Sequence, residues 1–278
     1  MIEIPDVHNS KPFYPLKIRR AGISNVSVPP FEDQGCWLIP RLSVFVDLPQ
    51  TARGVHMSRI YKAVYNELKK ATSLDFNLLE KIGKTVLMIN EYANLVDLIL
   101  KAGVVIEERD REYTGLDWIS ARLTMSREGL LLRESTASLL TVVACPCALE
   151  VSRAVYSEPY THNSKIRVTT TIKSSRGSVP ALAMIRELSN VLNKPRNYMS
   201  RLDEARFIKG VVDNPLFAED VVRLVAQIIV NTYSNLLEAE DEVAVRVNSV
   251  EPLHEYNIYV LLKLKVKEIL DALSQRPC

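Results

Sequence analysis

The chain has 278 residues, 47% of them hydrophobic and 24% charged, the balance of a soluble globular protein with room for one large or two modest domains. A net charge of +2 gives no basic footprint for DNA or RNA, and no apolar run approaches the ~20 residues of a membrane span. The first residues, MIEIPDVHNSKPFYPLKIRR, lack the apolar core of a signal peptide, so a cytoplasmic protein without nucleic-acid or membrane partners is expected.

Pro5, Pro12 and Pro15 resist helix, and residues 1–15 read as an extended arm. Leu42, Val44, Val46 and Leu48 alternate with Ser43, Phe45 and Asp47, which is a strand pattern. After Pro49 the period becomes helical, with Ile60, Val64 and Leu68 at four-residue steps. A second helix is predicted from the stripe Val86, Ile89, Ala93, Val96 and Leu100. Two strands then flank a turn at Arg127-Glu128-Gly129 and lead to Ala144. The second half repeats this order. Ile166 to Ile172 alternate as a strand, and Ala181, Ile185, Leu188 and Leu192 mark a helix. Asn214-Pro215 is expected to cap another, and two strands follow at 243–247 and 258–266. The reading is α+β: an arm at 1–15, one module at 16–147 and a similar one at 148–278, with antiparallel sheets backed by helices.

Four cysteines and four histidines are present, and few of them cluster. Cys145 and Cys147 flank Pro146, with His162-Asn163 downstream. Thiolate and imidazole suit zinc or ferrous iron, but two protein ligands need a carboxylate or another histidine to complete a site. The same residues also fit two small cysteines at a strand end beside a hydrogen-bonded loop histidine. His56 lies between Arg53 and Arg59 before a helix, a pattern that serves either as a phosphate cradle or as a solvated turn. Glu204 is a candidate ligand in an acidic pair that reads equally well as a solvated face. Glu219 falls where the helix dipole favours acids in any case. His254 follows Glu251-Pro252-Leu253 in a loop between strands, and Cys36 and Cys278 have no role in this reading.

Five islands occur in a telling order: LPQTARGVHMSR, CPCALEVS, HN at 162–163, LDE with DNPLFAED, and EPLHEYNIY. Together they resemble the second class of GTP cyclohydrolases, comprising the bacterial type IB enzymes and the archaeal enzyme of methanopterin synthesis. The resemblance implies tandem tunnelling-fold modules in homo-oligomers, dimers or tetramers, with active sites at subunit interfaces. By the same resemblance Cys145, His162 and Glu204 match the metal ligands, and Glu219 matches the glutamate that grips guanine. His254 matches an active-site histidine, and Arg53, His56 and Arg59 line the substrate pocket. Cys145, His162 and His254 are then the catalytic residues. The implied reaction opens the guanine imidazole ring of GTP at C8 and releases formate. Fe(II) is favoured as the cofactor, with Zn(II) or Mn(II) as alternatives.

The sequence departs from the family pattern at three places. Tyr256 stands where a second C-terminal histidine is usual, the cysteine-to-histidine segment is longer, and Arg201-Leu202-Asp203-Glu204 replaces an Arg/Lys-Pro-Asp-Glu pattern. The archaeal branch, implying a dihydroneopterin cyclic phosphate rather than the triphosphate, is favoured. Two other readings stay open: a tunnelling-fold relative using Cys145 or Cys147 as nucleophile, and a non-catalytic pterin- or purine-binding protein.

Overall fold

The computed structural model describes residues 7–8, 10–33, 35–71, 73–108, 112–196 and 198–275, with the backbone alone at 106–108 and 112–116. Pro5 of the arm and Cys278 lie outside them. The first half runs β1 (Ile18–Ser27), β2 (Phe31–Asp33), β3 (Cys36–Leu48), α1 (Met57–Leu68), α2 (Phe76–Ile89), β4 (Leu95–Glu108) and β5 (Glu112–Ser126). The second runs β6 (Leu131–Ala144), α3 (Pro146–Tyr156), β7 (Asn163–Ser174), α4 (Ala181–Val191), α5 (Arg201–Asp213), α6 (Ala218–Thr232), β8 (Glu242–Val250), β9 (Ile258–Lys265) and α7 (Val266–Ser274).

All described pairings are antiparallel, and they join nine strands into one sheet in the order β1-β3-β4-β5-β6-β7-β8-β9, with β2 against β3. Strand alternation sends one set of side chains to the helices. In the first half Leu42, Val44, Val46, Val96, Leu98 and Leu123 pack with Ile60, Leu79, Ile82 and Val86 of α1 and α2. In the second, Leu139, Ile166, Val168 and Val245 pack with Ile185, Leu188, Val221 and Ile229 of α4 and α6. Leu131 packs against the first core, and Ala137, Leu139 and Val143 belong to the second. A division after residue 147 leaves β6 with the first half, whereas core membership divides the chain at the start of β6.

Two expectations need correction. The predicted helix through Val86 and Leu100 ends at Ile89, and Val96 and Leu100 lie on β4. Val96 and Leu100 stand four apart, a spacing that satisfies a period of 2 as well as 3.6, so this pair fits either element. The buried Asn90 closes the helix: its backbone and side-chain N–H groups both donate to the Val86 carbonyl. Asn214 terminates α5 instead of starting the next helix, which begins after Phe217, where Asp220 accepts the Phe217 N–H at 3.2 Å. Strand β1 and helices α3 and α5 gave no periodic signal, because their residues are largely exposed.

The β5–β6 turn falls where the sequence put it, with Gly129 at φ +93°. Beside it, Arg127 caps α2: its guanidinium donates to the carbonyls of Ala93 (2.7 Å), Asn90 (3.2 Å) and Leu87. These carbonyls at and beyond the helix end have no intrahelical donor. Arg127→Ala is expected to lower unfolding stability by about 1–2 kcal/mol, because the lost bonds are charge-assisted but the arginine is exposed. A urea titration with an unchanged midpoint would count against this capping role.

Candidate active site

Strand register determines which islands can meet. Leu48 of β3 pairs with Ile18, Leu95 with Ser126, Met125 with Leu131, and Arg133 with Ser174, so these residues share one end of the sheet. The RGVH island follows Leu48 and stays at that end. The His56 backbone N–H and the Arg59 charge both act on Tyr92, just before β4, and oppose the upward push that burial gives its phenol. At the other end Ala144 pairs with Asn163, and Lys165 with Val250. Cys145, His162 and the loop carrying His254 therefore gather there. Strand β6 has 14 residues, and at ~3.3 Å per residue the two ends stand roughly 40 Å apart. No mononucleotide spans that gap.

Cys145 and His162 are neighbours because β6 and β7 pair up to their ends. The Cys145 N–H donates to the His162 carbonyl at 3.1 Å, and the Thr161 hydroxyl donates to the Cys145 carbonyl at 2.9 Å. Cys145 is the N-cap of α3, its sulfur accepting the Ala148 N–H at 3.5 Å, and Pro146 opens the helix, which needs no N–H there. His162 Nδ1 is buried and has no hydrogen-bond partner among the described residues, an uncommon and costly state for a polar atom. A half-buried thiol beside a buried, unsatisfied imidazole nitrogen suits a borderline-soft divalent metal. The pair is incomplete in one chain. Among the described residues no three histidine, cysteine, aspartate or glutamate side chains are grouped to hold a metal ion. Glu204 is exposed in the first turn of α5.

Glu219 is exposed in the first turn of α6, the helix whose far end leads back to the start of β8. His254 is exposed, its ring parallel to that of Tyr256 with centroids 4.9 Å apart. Cys147 is exposed, and Cys36 is buried among Leu38, Ala102, Val104 and Leu182. At the opposite end His56 occupies the N-cap position of α1 and is 7% exposed, while Arg53 and Arg59 reach solvent. The arm closes over this loop. The His8 carbonyl accepts N–H groups from Arg53 and Gly54 at 3.2 Å each, the His8 ring lies 4.6 Å from that of His56, and the Arg53 guanidinium sits 4.8 Å from the Phe13 ring centroid. A side chain at Gly54 would press on the His8 ring, with a Cβ 3.2 Å from its Cδ2.

Sequence reasoning passed over two groups at the Cys145 end. Glu251 accepts from the hydroxyls of Ser249 (2.6 Å) and Ser164 (3.4 Å), which holds a carboxylate two residues from His162 across the β7–β8 register. Its signal was available, since it directly follows β8 and precedes His254. The Ser152 hydroxyl shares its one proton between the carbonyls of Leu149 (2.9 Å) and Tyr160 (2.7 Å) and accepts the Tyr160 N–H at 2.7 Å. It pins α3 to the segment that delivers His162, a role that becomes visible only in three dimensions. A cavity of about 460 Å³ between α2 and α4, lined by Phe76, Glu80, Leu100, Ile119, Arg133 and Leu182, touches none of the expected site residues.

Ser152 is buried, so Ser152→Ala strands polar groups and is expected to cost about 1–3 kcal/mol. It should also speed exchange of the Tyr160 amide. Unaltered hydrogen exchange at Tyr160 would remove Ser152 as the anchor of this loop.

The chain is 27% identical to GTP cyclohydrolase MptA of Thermoplasma volcanium, covering 99% of this chain and 100% of that one. It is 26% identical to GTP cyclohydrolase MptA of Korarchaeum cryptofilum, covering 97% and 95%. Among solved structures, uricase from Arthrobacter globiformis superposes with a TM-score of 0.56 at 11% identity, covering 89% of this chain and 93% of that one, a likeness of fold alone. It identifies the two sheet-and-helix halves as tandem tunnelling-fold modules. The sequence profile of the type I GTP cyclohydrolase folE2 family matches residues 4–260, and the chain belongs to that family, whose members are hydrolases acting on GTP.

Proposed function

We propose that the chain is a metal-dependent GTP cyclohydrolase. It opens the guanine imidazole ring at C8, releases formate and yields a dihydroneopterin phosphate for methanopterin or folate synthesis in the cytoplasm. The 2′,3′-cyclic phosphate is favoured over the triphosphate. The observation that carries the metal assignment is the junction of Cys145 and His162 at the paired ends of β6 and β7, with His162 Nδ1 buried and unsatisfied. Cys145 and His162 hold the ion, and Glu204, exposed on α5, is the third donor. Fe(II) is preferred, with Zn(II) or Mn(II) able to take its place. When bound, the cation supplies the Lewis acidity that makes water a nucleophile at neutral pH.

The remaining roles belong to side chains. Glu219 accepts from guanine N1–H and N2–H2 together, a paired contact that selects guanine, each bond contributing about 1.5–3 kcal/mol. His254 moves the proton as the imidazole ring opens. His56, Arg53 and Arg59 at the start of α1 receive the phosphates. Their distance from Cys145 within one chain supports a homo-oligomer whose sites are shared, the RGVH loop of one copy meeting the Cys145 end of another.

Three experiments test this. Cys145→Ala and His162→Ala should each lose bound metal by elemental analysis while the far-ultraviolet circular dichroism stays that of the parent, and wild-type metal content in both would remove the ligand assignment. Incubated anaerobically with Fe(II) and GTP, the parent should release formate and a fluorescent pterin after oxidation. Intact GTP that nonetheless binds would favour the non-catalytic reading. For the shared site, His56→Ala and His162→Ala should each be inactive but recover about a quarter of wild-type activity when refolded together. Half of such isologous dimers are mixed, and each mixed dimer carries one intact site. No recovery on mixing would place both residues in the same protomer's site.

A further inference from the structure

Helix α5 has little hydrophobic reason to lie where it does. Val211, near its C-terminal end, is its only buried residue, and its first turn, with Asp203 and Glu204, is exposed. The segment before the helix is tied down instead. The Asn193 carbonyl accepts the Val142 N–H and the Thr141 hydroxyl, both at 2.9 Å, which stitches the chain to β6 only three residues ahead of Cys145. The next residue, Lys194, brings its ammonium 2.6 Å from the Asp117 carboxylate on β5, with the two side chains 10% and 2% exposed. The second Asp117 oxygen accepts the Leu140 N–H at 3.3 Å. Among the described residues Lys194 Nζ and Asp117 Oδ2 have no further partner, so each depends on the other.

Burying two charges is costly, and apolar replacement of both partners is often neutral or stabilising, so such a pair is poorly explained as a source of stability. What it supplies is direction: one ammonium position satisfies Asp117. We propose that the Asp117–Lys194 pair is a positioning clamp that registers the approach to α5 against β5 and β6, and through it holds Glu204 at the Cys145–His162 end of the sheet. The Glu204 part rests on the ligand reading given above.

Lys194→Met alone leaves a buried carboxylate unpaired and can fail to fold, so the decisive variant is Asp117→Asn with Lys194→Met, which removes both charges. Its urea midpoint should stay near that of the parent. Amides of residues 201–208 should exchange at least about tenfold faster, while those of α4 and α6 keep their protection. Anaerobic Fe(II) affinity, read by competition with a chromophoric chelator, should fall by about 10–100-fold, the size expected when a ligand's support is removed. A folded double variant with parental exchange in α5 would overturn the clamp and reduce the pair to mutual neutralisation. Faster exchange in α5 with parental Fe(II) affinity would keep the clamp but remove Glu204 from the metal.

Discussion

The β5–β6 ladder, with Trp118 to Met125 paired against Ser138 to Leu131, makes one sheet of two half-folds. The two apolar cores lie on either side of it. Antiparallel pairing reverses the chain at each strand, so successive connections alternate between the sheet's ends. The β3–α1 connection, carrying His56, leaves one end, and the β6–β7 connection, carrying Cys145 and His162, leaves the other. In the repeated order of elements the partner of the first is the β7–α4 connection and the partner of the second is the stretch between β1 and β3. Neither partner carries an expected site residue. Two modules of like topology thus present chemistry from unlike connections, and strand length keeps those connections apart within one copy.

Where side chains alternate or recur cleanly, the sequence was enough. Leu42 to Leu48, Ile166 to Ile172 and the valines of β8 announce strands, and Ala181, Ile185 and Leu188 announce α4, because burial on one face imposes a period. Legibility fails for two physical reasons. Spacings of four serve both periods, so Val96 and Leu100 fit a helix as well as the strand they occupy beyond Asn90, which closes α2. Elements with little buried surface leave no period at all, which is why α5, with Val211 alone buried, was invisible although Glu204 within it was noted.

The site was legible as residue types and illegible as geometry. Cys145 and His162 stand 17 positions apart, and only the register Ala144–Asn163 makes them neighbours. The resemblance groups Glu204 with them, yet the described residues of one copy do not assemble three donors. The tightly packed strands deliver two of the proposed ligands to a fixed place, and the proposed third rides on a helix held mainly at its ends. That division is physically sensible: a rigid pair defines where an ion sits, and a donor on a lightly packed element can adjust to it without disturbing the core.

The same economy of packing governs the loop after β8. It is anchored at its root, where Glu251 takes hydroxyls from Ser249 and Ser164, and is exposed beyond. There His254 lies on Tyr256 with 6° between the ring planes. In a parallel stack the two rings meet through their faces. The tyrosine therefore offers His254 a ring face where the resembling family pattern offers a second imidazole.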